Sequence, residues 1–188
     1  MVLPLGFVLL DSQQGYSIDY CMKYKKLVTR EAICWIGMNA PVSEFMGLLA
    51  VENTNCDPFK TAPDGGKGLT QFMPVTAQWL HKKEKGLQEL SISPSPSNDR
   101  WSIRAMILYN RWLYKYISCK DWWFVYRAYN GGLSIMNDEL DKAKTCDRKI
   151  VEKYCDRKKI KLGRKVHDLC DINISYPYKI MRAAERYR

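Results

Sequence analysis

The sequence predicts a mainly α-helical protein with little or no sheet. Apolar residues recur at intervals of three and four along several segments, and stretches rich in Pro and Gly separate those segments. A length of 188 residues with 46% hydrophobic residues favours one folded domain with a sizeable core and excludes a disordered chain. We expect this domain to span residues 17–188, after an N-terminal arm at residues 1–16.

The predicted helices follow one another along the chain with loops between them. Pro41 suits the first turn of a helix, and Asn98 or Asp99 can cap another. Loops are predicted at 55–68 and 90–97, where turn-forming residues cluster. The apolar spacing predicts helices at 17–38, 42–53, 74–85, 101–117, 122–129 and 176–188.

The chain opens on an apolar stretch, residues 1–10, which contains Pro4 and Gly6 and has no basic flank. A signal peptide needs that flank and a small-residue cleavage site, so we expect a buried strand or arm instead. A degenerate export signal and a docking segment for a partner are the alternatives. No run of 18 apolar residues occurs in the sequence, and no transmembrane segment is therefore expected.

Seven cysteines occur at irregular intervals, without any C-x-x-C pair. This pattern predicts mostly reduced, buried thiols rather than a disulfide framework, and the odd number leaves at least one unpaired within a monomer. Cys146, Cys155, His167 and Cys170 match no common zinc spacing. We therefore expect neither a metal nor a cofactor.

Positive charge is concentrated in one stretch of the chain. The net charge is +10, and residues 142–165 (the basic segment) hold eleven Lys and Arg against three acidic residues. Such a segment can bind nucleic acid, attract an anionic cell-envelope surface, or form an ordinary solvated face. No nucleic-acid-binding motif accompanies it, so we favour an anionic surface over nucleic acid.

Glu52 is the first candidate for chemistry. It is predicted at the C-terminal end of a helix, on the same stripe as the apolar Phe45 and Leu49. Burial and the negative end of the helix dipole both disfavour the carboxylate, so both raise its pKa. A carboxylic acid that stays protonated at neutral pH can act as a general acid.

Two further motifs follow Glu52 in order. After a short turn comes G-L-T-Q-F-M-P at 68–74, and later A-Y-N at 128–130. This order and spacing resemble the catalytic domain of the soluble lytic transglycosylases, which belong to the lysozyme-like superfamily. The resemblance runs from about residue 42 to 132, with a weaker echo at 176–180. It implies a lysozyme-like helical domain with a cleft.

The chain departs from that family's pattern at three positions. Asn53 stands where the family usually has Ser, and Thr70 stands where it usually has Met. A third family Ser aligns with Ala62, and the adjacent Thr61 can supply a hydroxyl in its place. In the family, that hydroxyl helps to orient the catalytic group or the substrate acetamide.

The resemblance implies a role for each matched residue. Glu52 would protonate the glycosidic oxygen between N-acetylmuramic acid and N-acetylglucosamine. The same carboxylate would then take the proton of the muramic C6 hydroxyl as a 1,6-anhydro ring closes. Tyr129 would lie near Glu52 and position it. The residues implied in binding the glycan or lining its site are Thr61, Gln71, Met73, Tyr129, Asn130 and Tyr178.

Two alternatives stay open. A goose-type muramidase would hydrolyse the bond with a second carboxylate, and Asp57, Asp64 and Asp99 are the nearest candidates, although turns and caps explain each. A nucleic-acid-binding protein or an inactive structural virion protein would carry out no reaction. We expect a phage enzyme for lysis or wall penetration, made in the host cytoplasm or carried in the virion. A specialised secretion-system transglycosylase is the alternative setting. Its expected site of action is the periplasm or cell wall, with glycan strands as substrate and virion proteins as candidate partners.

Overall fold

The computed structural model describes residues 19–90, 92–162 and 165–188. The expected arm at 1–16 lies outside these residues. Within them the chain is mainly α-helical with one two-stranded antiparallel sheet, which confirms the predicted fold class. The chain divides into a larger unit, 19–111 with 180–188, and a smaller unit, 112–179.

Among the described residues, the larger unit holds four complete α-helices, most of a fifth and the end of the C-terminal helix. The first five are α1 (Lys25–Trp35), α2 (Val42–Glu52), α3 (Pro74–Lys83), α4 (Lys85–Gln88) and α5 (Asp99–Tyr116). The predicted helices at 42–53 and 74–85 are confirmed, and the cap of α5 is Asn98, whose Oδ1 accepts from the Trp101 N–H at 3.0 Å. Every residue from Trp101 to Asn110 is buried, so α5 is the central helix of this unit.

Close packing in this unit depends on Gly47 in the middle of α2. A Cβ at this position would overlap backbone atoms of Ile180 and Ala184, near the end of the chain. Glycine therefore lets α2 lie directly against the last turn of the chain, Glu185–Tyr187. In that turn the Tyr187 hydroxyl donates to Asp19 Oδ1 at 3.0 Å.

A buried ionic cluster joins three helices of the larger unit. Glu31 on α1 accepts from Arg104 Nε at 2.6 Å and Nη2 at 3.1 Å, and from Trp35 Nε1 at 3.1 Å. Arg104 Nη1 also donates to the Gly86 carbonyl of α4 at 2.9 Å. Burial by itself raises the pKa of the Glu31 carboxyl, but the hydrogen bonds and charge of Arg104 outweigh that effect and lower it.

The smaller unit contains three further helices and a β-hairpin, together with most of α9. Its elements are α6 (Trp122–Gly131), α7 (Leu133–Ala143), α8 (Arg148–Val151), β1 (Lys159–Leu162), β2 (Lys165–Asp168) and α9 (Leu169–Ala184). The strands pair antiparallel with Lys159 opposite Asp168. The helix at 122–129 is confirmed, and its cap is Asp121, which accepts from the Trp123 N–H at 2.9 Å.

A second buried ion pair joins α6 to α7. Arg127 Nη2 lies 2.7 Å from Glu139 Oε2, and both side chains are almost wholly buried. Arg127 Nε also donates to Asn173 Oδ1 of α9 at 3.3 Å. The same asparagine fills the space beside Gly131, where any Cβ would overlap its side chain. The glycine after the A-Y-N motif therefore permits α6 and α9 to pack closely.

The prediction of mostly reduced thiols is wrong for six of the seven cysteines. Disulfides join Cys21 to Cys56, Cys119 to Cys146 and Cys155 to Cys170, with Cα–Cα distances of 5.1 to 5.7 Å. Partners lie 15 to 35 residues apart, and the folded chain rather than their spacing brings them together. Cys34 is the unpaired, exposed cysteine, as the odd count requires. No helix in the described ranges is long and apolar enough to span a bilayer.

Candidate active site

Glu52 is the last residue of α2, as predicted. Its side chain is 4% exposed, and the Asn53 N–H closes the helix by donating to the Leu49 carbonyl at 3.0 Å. The side chain at the end of the apolar stripe is therefore shielded from water. The apolar stripe of α2 produces this burial, since Phe45, Met46 and Leu49 are fully covered.

The chain after Glu52 folds into a compact loop that carries the G-L-T-Q-F-M-P motif. Lys67 forms isolated antiparallel bridges with Thr61 and with Phe72, so three short stretches of the loop lie side by side. The hydroxyls of Thr70 and Ser102 are 2.8 Å apart and buried, which attaches the motif to α5. The Thr that replaces the family's usual Met therefore forms a polar contact inside the unit.

Gln71 is held rigidly and keeps one free acceptor. Its backbone has φ of +50°, a conformation uncommon outside glycine, and its side chain is 1% exposed. Gln71 Nε2 donates to the carbonyls of Gly68 at 2.5 Å and Lys60 at 3.4 Å. Gln71 Oε1 is buried with no hydrogen-bond partner in the described part of the chain. This oxygen can accept a hydrogen bond from an N–H or O–H group that reaches it.

Thr61 and Met73, the other predicted binding residues of this unit, flank the loop. Thr61 is exposed, and the neighbouring Ala62 is buried. Met73 is half-buried with its methyl group packed over Gly65, and it directly precedes α3. Both side chains are therefore at least partly exposed to solvent.

The remaining predicted residues belong to the smaller unit. Tyr129 and Asn130 are buried near the end of α6, and the Tyr129 ring lies parallel to that of Tyr176 with centroids 6.5 Å apart. The proximity of Tyr129 to Glu52 stays a prediction. Tyr176, which forms this stack, was not among the predicted residues, although the weak motif at 176–180 pointed to this part of the chain.

Tyr178 has different surroundings from those of Tyr129. Its ring packs edge-on against Trp123 at 5.8 Å, and its hydroxyl donates to Glu152 Oε1 at 3.2 Å. Partial burial, followed by the Glu152 carboxylate, raises the pKa of the Tyr178 hydroxyl. Tyr176, rather than Tyr178, contacts the A-Y-N motif, and a role for Tyr178 in binding glycan stays a prediction.

Of the three candidate second carboxylates, two accept backbone hydrogen bonds in turns, and the third accepts from a tyrosine instead of capping α5 as expected. Asp57 Oδ1 accepts from the Phe59 N–H at 2.9 Å, and Asp64 Oδ1 accepts from the Gly66 N–H at 3.1 Å. Asp99 Oδ2 accepts from the Tyr24 hydroxyl at 3.0 Å. Asp64 Oδ2 is buried and has no hydrogen-bond partner within the described residues. Those residues include no group of three or more His, Cys, Asp and Glu that could hold a metal ion.

Comparison with solved structures defines the class of fold. Over 88% of this chain, the structure is similar to the 70 kDa soluble lytic transglycosylase of Escherichia coli, with a TM-score of 0.64 and 20% sequence identity. The match covers 24% of that chain, so the present chain spans about a quarter of its length. The fold is therefore the lysozyme-like helical fold that the sequence predicted.

The family follows from the sequence match. The profile of the transglycosylase SLT domain matches residues 38–151, which include Glu52 and both downstream motifs. The chain belongs to the transglycosylase SLT domain family. A search of curated proteins gave no match.

Proposed function

We propose that this protein is a peptidoglycan lytic transglycosylase that cleaves the β-1,4 bond between N-acetylmuramic acid and N-acetylglucosamine. One observation carries the proposal: in a chain of the transglycosylase SLT domain family, Glu52 is buried at the end of α2, directly before the loop that carries Gln71. This arrangement combines one general acid with a fixed hydrogen-bond acceptor for a sugar.

The proposed reaction needs one carboxyl group. Glu52 donates its proton to the glycosidic oxygen as the bond from that oxygen to C1 of the muramic residue breaks. The muramic C6 hydroxyl then attacks C1, and its proton passes to the Glu52 carboxylate. The products are a 1,6-anhydromuramic end and a free 4-hydroxyl on the glucosamine, with Glu52 protonated again and no water consumed. Hydrolytic glycosidases need a second carboxylate, whereas here the substrate supplies the nucleophile.

The predicted binding residues complete this proposal. Gln71 Oε1 accepts a hydrogen bond from a sugar hydroxyl or acetamide, since its amide nitrogen is already bound to two carbonyls. Met73 and Thr61 contact the glycan from the loop. Tyr129 positions Glu52, and Asn130 and Tyr178 contact the substrate or its surroundings.

The place of action in this proposal is the bacterial envelope. Three disulfides favour an oxidising compartment such as the periplasm or the outside of a cell. The basic segment supports attraction to anionic wall or envelope polymers. We place the enzyme in phage lysis or wall penetration, with virion proteins as its candidate partners. Detection of the protein in purified particles tests the virion part of this setting.

Substitution of Glu52 tests the proposed activity. Glu52→Gln keeps the shape of the side chain but cannot transfer the proton, so we expect the loss of at least ~100-fold in the rate of wall solubilisation. Glu44→Gln, on the first turn of the same helix, is the matched control and retains the rate. Thermal unfolding checks that both variants fold. Near-normal turnover by Glu52→Gln contradicts the proposal.

A further inference from the structure

Asn53, directly after Glu52, occupies the junction between α2 and the loop. Its backbone leaves the helical region, with φ of −149° and ψ of 88°, and its side chain is fully buried. Its carbonyl accepts from the Cys56 N–H at 2.8 Å, and Cys21 Sγ lies 3.7 Å from the same oxygen. The disulfide between Cys21 and Cys56 therefore holds the turn that Asn53 begins.

The Asn53 side chain joins two parts of the loop. Nδ2 donates to the Asp57 carbonyl at 2.7 Å and to the Gly68 carbonyl at 3.1 Å. Oδ1 accepts from the Asp57 N–H at 3.2 Å. A side-chain amide can supply two donors and an acceptor together, whereas the single hydroxyl of the serine usual in the family cannot.

The Gly68 carbonyl is also the main partner of Gln71. Gln71 Nε2 donates to it at 2.5 Å, so the two lone pairs of one oxygen receive both side-chain amides. Gly68 has φ of +75°, and a Cβ there would overlap the Pro96 carbonyl, so only glycine fits. The backbone conformation of Gly68 and its close contact with Pro96 therefore fix the position of the shared carbonyl oxygen.

We propose that Asn53 is a positioning residue that sets the place of Gln71 relative to Glu52 through the Gly68 carbonyl. Asn53 directly follows Glu52 in the chain. Its side-chain amide is linked to that of Gln71 by two hydrogen bonds, which share the Gly68 carbonyl. Because Gln71 Oε1 is the acceptor offered to substrate, a shift of the shared carbonyl moves that acceptor. This inference rests on the proposed function.

A double-mutant cycle separates positioning from general stability. Asn53→Ser should lower kcat/KM for wall fragments by about tenfold, since small misplacements in an active site are costly. In a Gln71→Ala background the same change should cost less than about twofold, because the acceptor to be positioned is gone. An equal loss in both backgrounds, or no loss in the wild type, overturns the proposal.

Asn110 provides the matched control. It is fully buried in the same unit, and its Nδ2 makes one bond to the Met106 carbonyl at 2.9 Å, within α5. Asn110→Ser also removes a buried amide, so it reports the cost of destabilisation. Its effect on kcat/KM should be the same with and without Gln71.

Hydrogen exchange tests the inference without any need for turnover. In the Glu52→Gln protein, Asn53→Ser should increase amide exchange in residues 66–72 and leave residues 101–110 unchanged. Unchanged exchange at 66–72 overturns the positioning role even if the protein proves inactive on walls. Inactivity of the wild type together with increased exchange contradicts the proposed function alone.

Discussion

Single residues decide how the larger unit responds to pH, and Glu31 is the clearest case. Its carboxyl has a lowered pKa in the folded protein, so it stabilises the fold above its ordinary value of 4.5. That stability is lost as the pH falls through the lowered value. We expect the free energy of unfolding to fall more steeply below about pH 4.5 in the wild type than in Glu31→Gln.

Denaturant unfolding between pH 7 and pH 3 measures the two slopes. At pH 7 Glu31→Gln should cost about 3 kcal/mol, because it leaves the Arg104 guanidinium buried without its counter-charge. Parallel curves for the wild type and Glu31→Gln would contradict the role assigned to Glu31.

At this scale the sequence reveals residues whose role depends on local spacing. The buried position of Glu52 could be predicted because the apolar stripe of α2 continues to it. Asn53 could not be recognised as a hydrogen-bonding residue, since its partner Gly68 is 15 residues away and returns only when the loop folds. Tyr176 was missed for the same reason, because its stacking on Tyr129 depends on how α6 and α9 pack.

Among the elements, the basic segment has the most direct test. Lys153, Lys158 and Lys159 are exposed, whereas Arg157 lies within 3.4 Å of Asp168 and 3.3 Å of Asp171. Reversing the three lysines to glutamate therefore changes the surface charge and spares these ion pairs. We expect this variant to bind purified walls more weakly than the wild type at low salt. Its rate of cleavage of a short uncharged glycan should change little.

Salt dependence and a charge-matched variant complete this test. Exposed charges are screened over ~10 Å at 0.1 M salt and ~3 Å at 1 M, so salt should weaken wall binding of the wild type in the same way. Reversing Lys23, Lys26 and Lys82, in the larger unit, alters net charge equally and should retain most wall binding. Equal binding by both triple variants and the wild type at low salt would leave the segment as an ordinary solvated face.

Elements with a wide apolar surface were the easiest to predict. The helices at 101–117 and 122–129 match α5 and α6 because their buried faces are continuous in the sequence. Helix α7 was not predicted, since Met136 and Leu140 are its principal buried apolar residues and a buried Glu139 lies between them. The β-hairpin was also missed, because each strand is only four residues long and lies in a lysine-rich stretch.

The whole molecule is cross-linked more heavily than the sequence indicates. Thiol titration in denaturant should detect one thiol per chain without reductant, Cys34, and seven after reduction. The Cys21–Cys56 disulfide closes a loop of 35 residues. Removing it with Cys21→Ser and Cys56→Ser should lower the free energy of unfolding by about 4 kcal/mol, from the loss of chain entropy in the unfolded state that the disulfide imposes. Cys34→Ser is the control and should leave stability unchanged. Seven thiols without reductant would contradict the disulfides.

The reaction product tests the central claim most directly. Purified peptidoglycan is digested with the wild-type protein, and the released fragments are analysed by mass spectrometry. Proton transfer by one carboxyl group predicts fragments that end in 1,6-anhydromuramic acid, each one water lighter than the hydrolytic product. Fragments with only reducing muramic ends would contradict this mechanism and indicate a hydrolase, with Asp64→Asn as the first variant to examine.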